Sequence, residues 1–247
     1  MTSYQTVVDD GQSEAGGYLS LPGLMHIFAA AALKDEPGPL AEAVQAHRLT
    51  WLVTDFTLAV EAWPRSGQEV TCSTRRSAAD HLYFYRDYVL SAGQGTCALG
   101  RMAWLLADGQ THRPVPVAKA PAPVMAAMAP APLGARQLAV KRLRFRGLGP
   151  FTPAGVCRAD EATIDFNGHV NHICYANWIE QAVQRHRATL DRPTFLQMSW
   201  LREVRLGERV ALEVLAQGDR WLAQGKLADG RPCVRAVLAY GPEDPLV

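Results

Sequence analysis

The chain has 247 residues, 48% of them hydrophobic and 20% charged, with a formal net charge of +1. That composition excludes a disordered chain, and the near-zero charge argues neither for nor against a polyanionic partner, so electrostatic docking must come from local patches; no nucleic-acid partner is expected. The five cysteines are scattered without CxxC spacing, which excludes zinc-ribbon and thioredoxin-like motifs and reads as free, mostly buried thiols in a reducing compartment.

In chain order, residues 1–14 are polar and acidic, unlike a secretory leader. The longest apolar run, near 24–33, is interrupted by His26 and too short to span a bilayer, so a cytoplasmic protein without a membrane span is expected. A helix is predicted over 19–33, then strands at 51–62, 69–74, 82–90 and 98–107. Residues 117–135 are dense in alanine and proline; Pro121, Pro123, Pro130 and Pro132 remove backbone donors and favour extended linker geometry. The predicted organisation is therefore a module at 1–118, a linker at 119–137 and a second module at 138–247. In the second module the spacing of Ile173, Trp178, Ala182 and Arg185 predicts a helix over 170–190, with Pro193 just beyond it. Strands follow at 196–205, 209–216, 221–227 and 232–240, and Val210, Leu212 and Val214 alternate as one buried face.

The two halves share this order of elements. Gly67-Gln68-Glu69-Val70 and Gly207-Glu208-Arg209-Val210 are each a turn glycine leading into a strand, which points to duplication. A helix followed by a run of antiparallel strands, twice over, implies an α+β fold with each helix wrapped by sheet.

Chemistry concentrates at Asp165-Phe166-Asn167-Gly168-His169-Val170-Asn171, just before the second helix. Spacing of i, i+2, i+4 brings Asp165, Asn167 and His169 to one side of an extended or turning segment. A turn opening onto a helix N-terminus also offers free backbone N–H groups, which stabilise an oxyanion. A plain Asx-type turn with a capping residue fits the same residues.

The string D-x-N-x-H-V-N-x-x-x-Y-x-x-W, running from Asp165 to Trp178, resembles the signature of the acyl-acyl carrier protein thioesterases, double-hotdog enzymes of plants and bacteria. The resemblance extends over nearly the whole chain. In the first half it rests on the helix after Leu19, the Trp63-Pro64-Arg65-Ser66-Gly67 turn, the strand at 101–107 and Thr111-His112-Arg113-Pro114. It implies a tandem hotdog fold and hydrolysis of acyl-acyl carrier protein thioesters to free acid and holo carrier, in fatty acid biosynthesis. The partner implied is the acyl carrier protein with its phosphopantetheine-linked chain. The family's catalytic Asp, Asn, His and Glu carry over to Asp165, Asn167, His169 and Glu203, the Glu on a following strand. Many relatives have a cysteine directly after that Glu, where this chain has Val204, so a thiol there cannot be essential. Residues Glu161-Ala162-Thr163-Ile164 also lack the Arg and extra Asp common in relatives. These features suit attack by water, with Glu203 as general base; a nucleophilic Asp165 is the other reading.

At the offset of the Gly67 and Gly207 turns, Met25, Ile27, Ala29 and Trp63 occupy the places of Asp165, Asn167, His169 and Glu203. All four are apolar, so the first module is expected to shape an acyl pocket rather than perform chemistry. Cys174 reads as a packing residue, Tyr175 and Trp178 as core, and His169 with His172 lacks the further ligands a metal needs, so neither metal nor cofactor is expected. Lys141-Arg142-Leu143-Arg144-Phe145-Arg146 reads as an edge strand with a solvated face, or as a docking patch for an acidic carrier or its phosphate; Arg185 and Arg187 form a weaker second patch. An acyl-CoA thioesterase is the main alternative, and a hotdog dehydratase or acyl-chain binder lesser ones. Two fused modules supply the hotdog pair that single-module relatives reach by dimerising, so a monomer or a homodimer is expected.

Overall fold

A computed structural model describes residues 2–14, 16–36, 38–128, 133, 137–189 and 191–241. Cα packing divides the chain into two units, Met1–Val140 and Lys141–Val247. In the first unit, β1 (Thr2–Val7), β2 (Leu49–Val60), β3 (Glu69–Asp80), β4 (Tyr83–Ala92) and β5 (Gly95–Asp108) pair antiparallel in the order β1-β3-β4-β5-β2. Helix α1 (Leu21–Lys34) packs on β1 and β3. Leu21, Leu24, Met25, Phe28 and Ala31 recur at helical spacing and are fully buried, so α1 is the core of this unit. Its start is fixed by Ser20, whose hydroxyl accepts from Gly23 N at 3.0 Å and donates to Gln12 O at 2.8 Å.

Phe28 is the centre of that core. Its ring stacks on Tyr88 at 4.5 Å and meets the edge of Phe56 at 6.2 Å. Gly100, paired with both Tyr88 and Leu58, lies directly beneath: a Cβ there would stand 2.3 Å from Phe28 Cε2. A ring held on two sides cannot retreat, so Gly100→Ala is expected to cost about 1–3 kcal/mol. Urea unfolding of the variant checks this, and an unchanged midpoint would mean that the helix shifts freely.

A second core patch holds Leu40, Phe84, Leu106 and Val124. It joins α2 (Gly38–Ala46), absent from the sequence reading, to α3 (Ala122–Ala126). Thus part of the stretch expected as an extended linker is helical, with Val124 buried. Its far end is tied down as well, by Gln137 Nε2 donating to Asp87 Oδ2 at 3.3 Å and the Thr57 hydroxyl donating to Ala139 O at 2.9 Å. Pro130 and Pro132 lie outside the described residues.

In the second unit, β6 (Thr152–Arg158), β7 (Phe195–Trp200), β8 (Arg209–Gln217), β9 (Arg220–Lys226) and β10 (Pro232–Ala239) pair antiparallel in the order β7-β10-β9-β8-β6. Helix α4 (His172–Gln184) packs on β6, β8 and β9. Val210, Leu212 and Val214 are buried, as their alternation predicts, and so are Tyr175 and Trp178. The helix ends before the predicted residue 190, because Arg185 caps it and His186 N and Arg187 N turn to bonds three residues back. Strand β7 stops at Trp200 rather than 205, and residues 141–146 form no strand.

The duplication is visible bond by bond. Before each long helix comes a strand and then a short 3-10 turn, Asp10–Gln12 or Glu161–Thr163, closed by the same capping box on Asp9 or Asp160. The Arg65–Gln68 and Arg205–Glu208 turns match too: Gln68 N donates to Arg65 O at 3.0 Å and Glu208 N to Arg205 O at 3.1 Å. Their third residues, Gly67 and Gly207, both have positive φ. In each unit one long helix therefore lies against a curled antiparallel sheet, the tandem hotdog expected.

Candidate active site

The loop from Asp165 to His169 is closed by an isolated bridge between Ile164 and Val170. Asp165 N donates to His169 O at 2.8 Å and Gly168 N to Asp165 O at 3.0 Å. The Asp165 carboxylate accepts from Asn167 N at 2.8 Å, an Asx turn. Gly168 has φ +79°, which a side chain would strain. The plainer reading of the motif, an Asx turn, is thus what the backbone forms, and His169 ends it. Val170 N donates to Val204 O at 2.8 Å, bringing the loop against the segment that follows β7.

There His169 Nε2 meets Glu203 Oε2 at 3.0 Å. The His169 side chain is 12% exposed and that of Glu203 35%, so the carboxylate keeps access to solvent. Glu203 is not on a strand, contrary to expectation; it lies three residues past the end of β7, where the chain has left the ladder and is free to bend toward His169. Beside the pair, Asn171 caps α4 by accepting from Ile173 N at 2.9 Å, and His172 packs on the edge of Trp200 at 5.6 Å. His169 and Glu203 are thus brought together across 34 residues of sequence, while Asp165 and the Asn167 backbone form the turn that presents His169.

Cys174 is half-buried, with its thiol directed at Thr163 O at 3.9 Å. Burial, then the Asp160 and Asp165 carboxylates, push this thiol above its ordinary pKa, which keeps it protonated and unreactive. Cys174→Ser is accordingly expected to retain kcat within about threefold, measured by thiol release from an acyl thioester. Loss of turnover in a folded variant would restore a thiol mechanism.

The first unit contains the same loop, at a place the sequence offset missed. Ser13 bridges Leu19 as Ile164 bridges Val170. Glu14 N donates to Tyr18 O at 2.9 Å and Gly17 N to Glu14 O at 2.8 Å, while Leu19 N donates to Pro64 O at 2.8 Å. Glu14, Tyr18 and Trp63 therefore stand where the second unit has Asp165, His169 and Glu203. The assignment of Met25, Ile27 and Ala29 is wrong, because the stretch between this loop and the later turn is longer in the first unit and the two copies need different offsets. The pattern Glu14-x-x-Gly17-Tyr18 against Asp165-x-x-Gly168-His169 was the available signal. With Tyr18 for histidine and Trp63 for glutamate, this copy has neither member of the His169–Glu203 pair.

Arg185 and Arg187, considered as a patch, are engaged internally. Arg185 Nη1 donates to Ala154 O at 2.9 Å, and Arg187 lies 3.4 Å over the Tyr240 ring. No helix among the described residues is long and apolar enough to cross a membrane.

Residues 1–122 match the acyl-ACP thioesterase N-terminal domain and residues 157–226 the acyl-ACP thioesterase C-terminal domain, together well over half of the chain. Comparison with curated proteins gives no match. Among solved structures, a protein assigned as an oleoyl thioesterase from Lactobacillus plantarum is 20% identical with a TM-score of 0.80, over 100% of this chain and 97% of that one. An acyl-ACP thioesterase from Bacteroides thetaiotaomicron is 16% identical with a TM-score of 0.77, over 97% of each chain. The 12:0-ACP thioesterase from Umbellularia californica is also 16% identical with a TM-score of 0.77, over 98% of this chain and 97% of that one. At such identities these likenesses speak to the fold, and the fold they share is the double hotdog. By its two matched domains the chain belongs to the acyl-ACP thioesterase family, and it is a thioester hydrolase acting on acyl-acyl carrier protein.

Proposed function

We propose that hydrolysis proceeds by direct attack of water, activated at Glu203 within a network of Asp165, Asn167, His169 and Glu203. The observation that carries this reading is the 3.0 Å approach of His169 Nε2 to Glu203 Oε2, on a carboxylate that solvent still reaches. Glu203 takes a proton from water as its oxygen bonds to the thioester carbonyl carbon. His169 orients the carboxylate and stabilises charge, and the Asn167 amide binds the carbonyl oxygen or the water. The tetrahedral intermediate then collapses, the C–S bond breaks, and the proton held by Glu203 passes to the departing phosphopantetheine sulfur. Free acid and holo carrier leave. Asp165 acts through the loop: its carboxylate is engaged by Asn167 N, which favours a positioning role over a nucleophilic one. Val204, fully buried, offers no thiol.

In this reading residues 138–247 carry the chemistry, 1–118 shape the acyl pocket and 119–137 connect them. The enzyme works in the cytoplasm, in fatty acid biosynthesis, as a monomer or homodimer. The test is single-turnover hydrolysis of one acyl chain on carrier protein, following free acid and thiol, by the wild type and by Glu203→Gln, His169→Ala and Asn167→Ala. Wild-type rates in Glu203→Gln would remove the proposed base.

A further inference from the structure

The start of the second unit carries positive charge that the hydrolytic network does not use. Segment 141–146 lies against β7 and β10 through side chains rather than a ladder. Gln197 Nε2 donates to Lys141 O at 2.6 Å, Leu143 N to the Ser199 hydroxyl at 2.9 Å, and Arg235 Nη1 to Leu143 O at 3.2 Å. Arg142 Nη2 donates to Trp200 O at 2.8 Å, three residues before Glu203. Phe145 sits under the Arg235 guanidinium at 5.4 Å and stacks on Phe151 at 5.7 Å. The backbone and the apolar residues are thus consumed by the fold, while Lys141, Arg142, Arg144 and Arg146 stay exposed.

Two further cations join them. Arg202, exposed and adjacent to Glu203, donates to Pro232 O at 2.6 Å. Through Pro232 O it is attached to β10, the strand that carries Arg235, whose pKa is lowered first by burial and then by the charges of Arg202 and Arg146. Asp229, whose charge Arg202 also feels, is already paired with Arg231 at 2.6 Å. Among the described residues none of the six cations forms an ion pair. Crowded like charges cost stability, and a merely solvated face would intersperse acids.

We propose that Lys141, Arg142, Arg144, Arg146, Arg202 and Arg235 form the docking surface for an acidic face of the carrier protein, seating it beside the loop that ends in Glu203. This rests on the hydrolytic reading of that loop. A phosphate is gripped by one or two convergent guanidinium forks. Six cations spread over a segment, a strand and a loop instead match an extended acidic surface.

The experiment uses Arg144→Glu/Arg146→Glu, since neither guanidinium makes a hydrogen bond among the described residues, with Arg144→Gln/Arg146→Gln as a milder second variant. One acyl chain is presented on carrier protein, on coenzyme A and on pantetheine. For acyl-carrier protein KM is expected to rise about tenfold or more with kcat unchanged, and to lose most of its salt dependence. Acyl-pantetheine, with neither protein nor phosphate, is expected to be cleaved as by the wild type. An acyl-carrier KM within twofold of wild type overturns the proposal. An equal rise for acyl-CoA overturns it too, assigning the patch to phosphate. Cleavage of acyl-pantetheine by the wild type, and its loss in Glu203→Gln, tests the hydrolytic reading apart from the surface.

Discussion

Glu203→Gln is expected to lower kcat by about 100- to 10,000-fold, or about 3–5.5 kcal/mol of barrier, while leaving folding and KM near wild type. Glutamine keeps the shape of the side chain and still reaches His169, so the loop after β7 should keep its course. What disappears is the basic oxygen to which the proposed mechanism gives the proton of water. A loss confined to kcat marks an interaction made in the transition state, whereas a rise in KM alone would mark simple binding. The competing role for Glu203 is an exposed ion pair with a neighbouring arginine, which would contribute about 0–1 kcal/mol to stability and nothing to rate. Among the described residues neither Arg202 nor Arg205 forms an ion pair, and the Glu203 carboxylate meets His169 Nε2 at 3.0 Å. Near wild-type kcat in Glu203→Gln would leave Asp165 as the candidate base or nucleophile.

Asp35→Ala is expected to destabilise the first unit by about 3–5 kcal/mol, read as a lower urea midpoint, with kcat per folded molecule unchanged. Asp35 caps the C-terminus of α1, where a lone carboxylate is disfavoured by the helix dipole. It is held there by two arginines: Oδ2 accepts from Arg76 Nη1 at 3.0 Å and from Arg86 Nη1 at 2.8 Å. All three side chains are nearly buried, at 13%, 13% and 8% exposure. Burial, then the Arg86 charge, lower the proton affinity of Arg76, and Asp35 works against both. Removing the carboxylate leaves two like charges in a poorly solvated corner. Replacing all three residues together with apolar ones of similar volume should cost much less, because no charge is then stranded. A single variant as stable as the wild type would show that water reaches the arginines freely.

The sequence by itself determined the elements whose burial follows a local period. Val210, Leu212 and Val214 announce β8, and Leu21, Leu24, Met25 and Phe28 announce α1, because one face of each must leave water whatever it packs against. It also supplied the residues of the Asp165–His169 loop, since an Asx turn on Asp165 with a glycine at φ +79° is a local device. Elements without such a period were invisible. In β6, Thr152–Arg158, only Ala154 is buried, and the strand exists because β8 offers it a ladder. Helix α2 depends on the patch shared by Leu40, Phe84, Leu106 and Val124, which only the folded chain assembles. The meeting of His169 with Glu203 was likewise decided by tertiary structure: β7 ends at Trp200, and the bond from Val170 N to Val204 O sets the loop against the segment beyond it. The first-unit counterpart of that loop lay hidden for a related reason. A fixed sequence offset assumes equal spacing, whereas the repeated hydrogen bonds of Glu14, Gly17 and Leu19 follow the geometry of the fold and tolerate any length of chain between loop and turn.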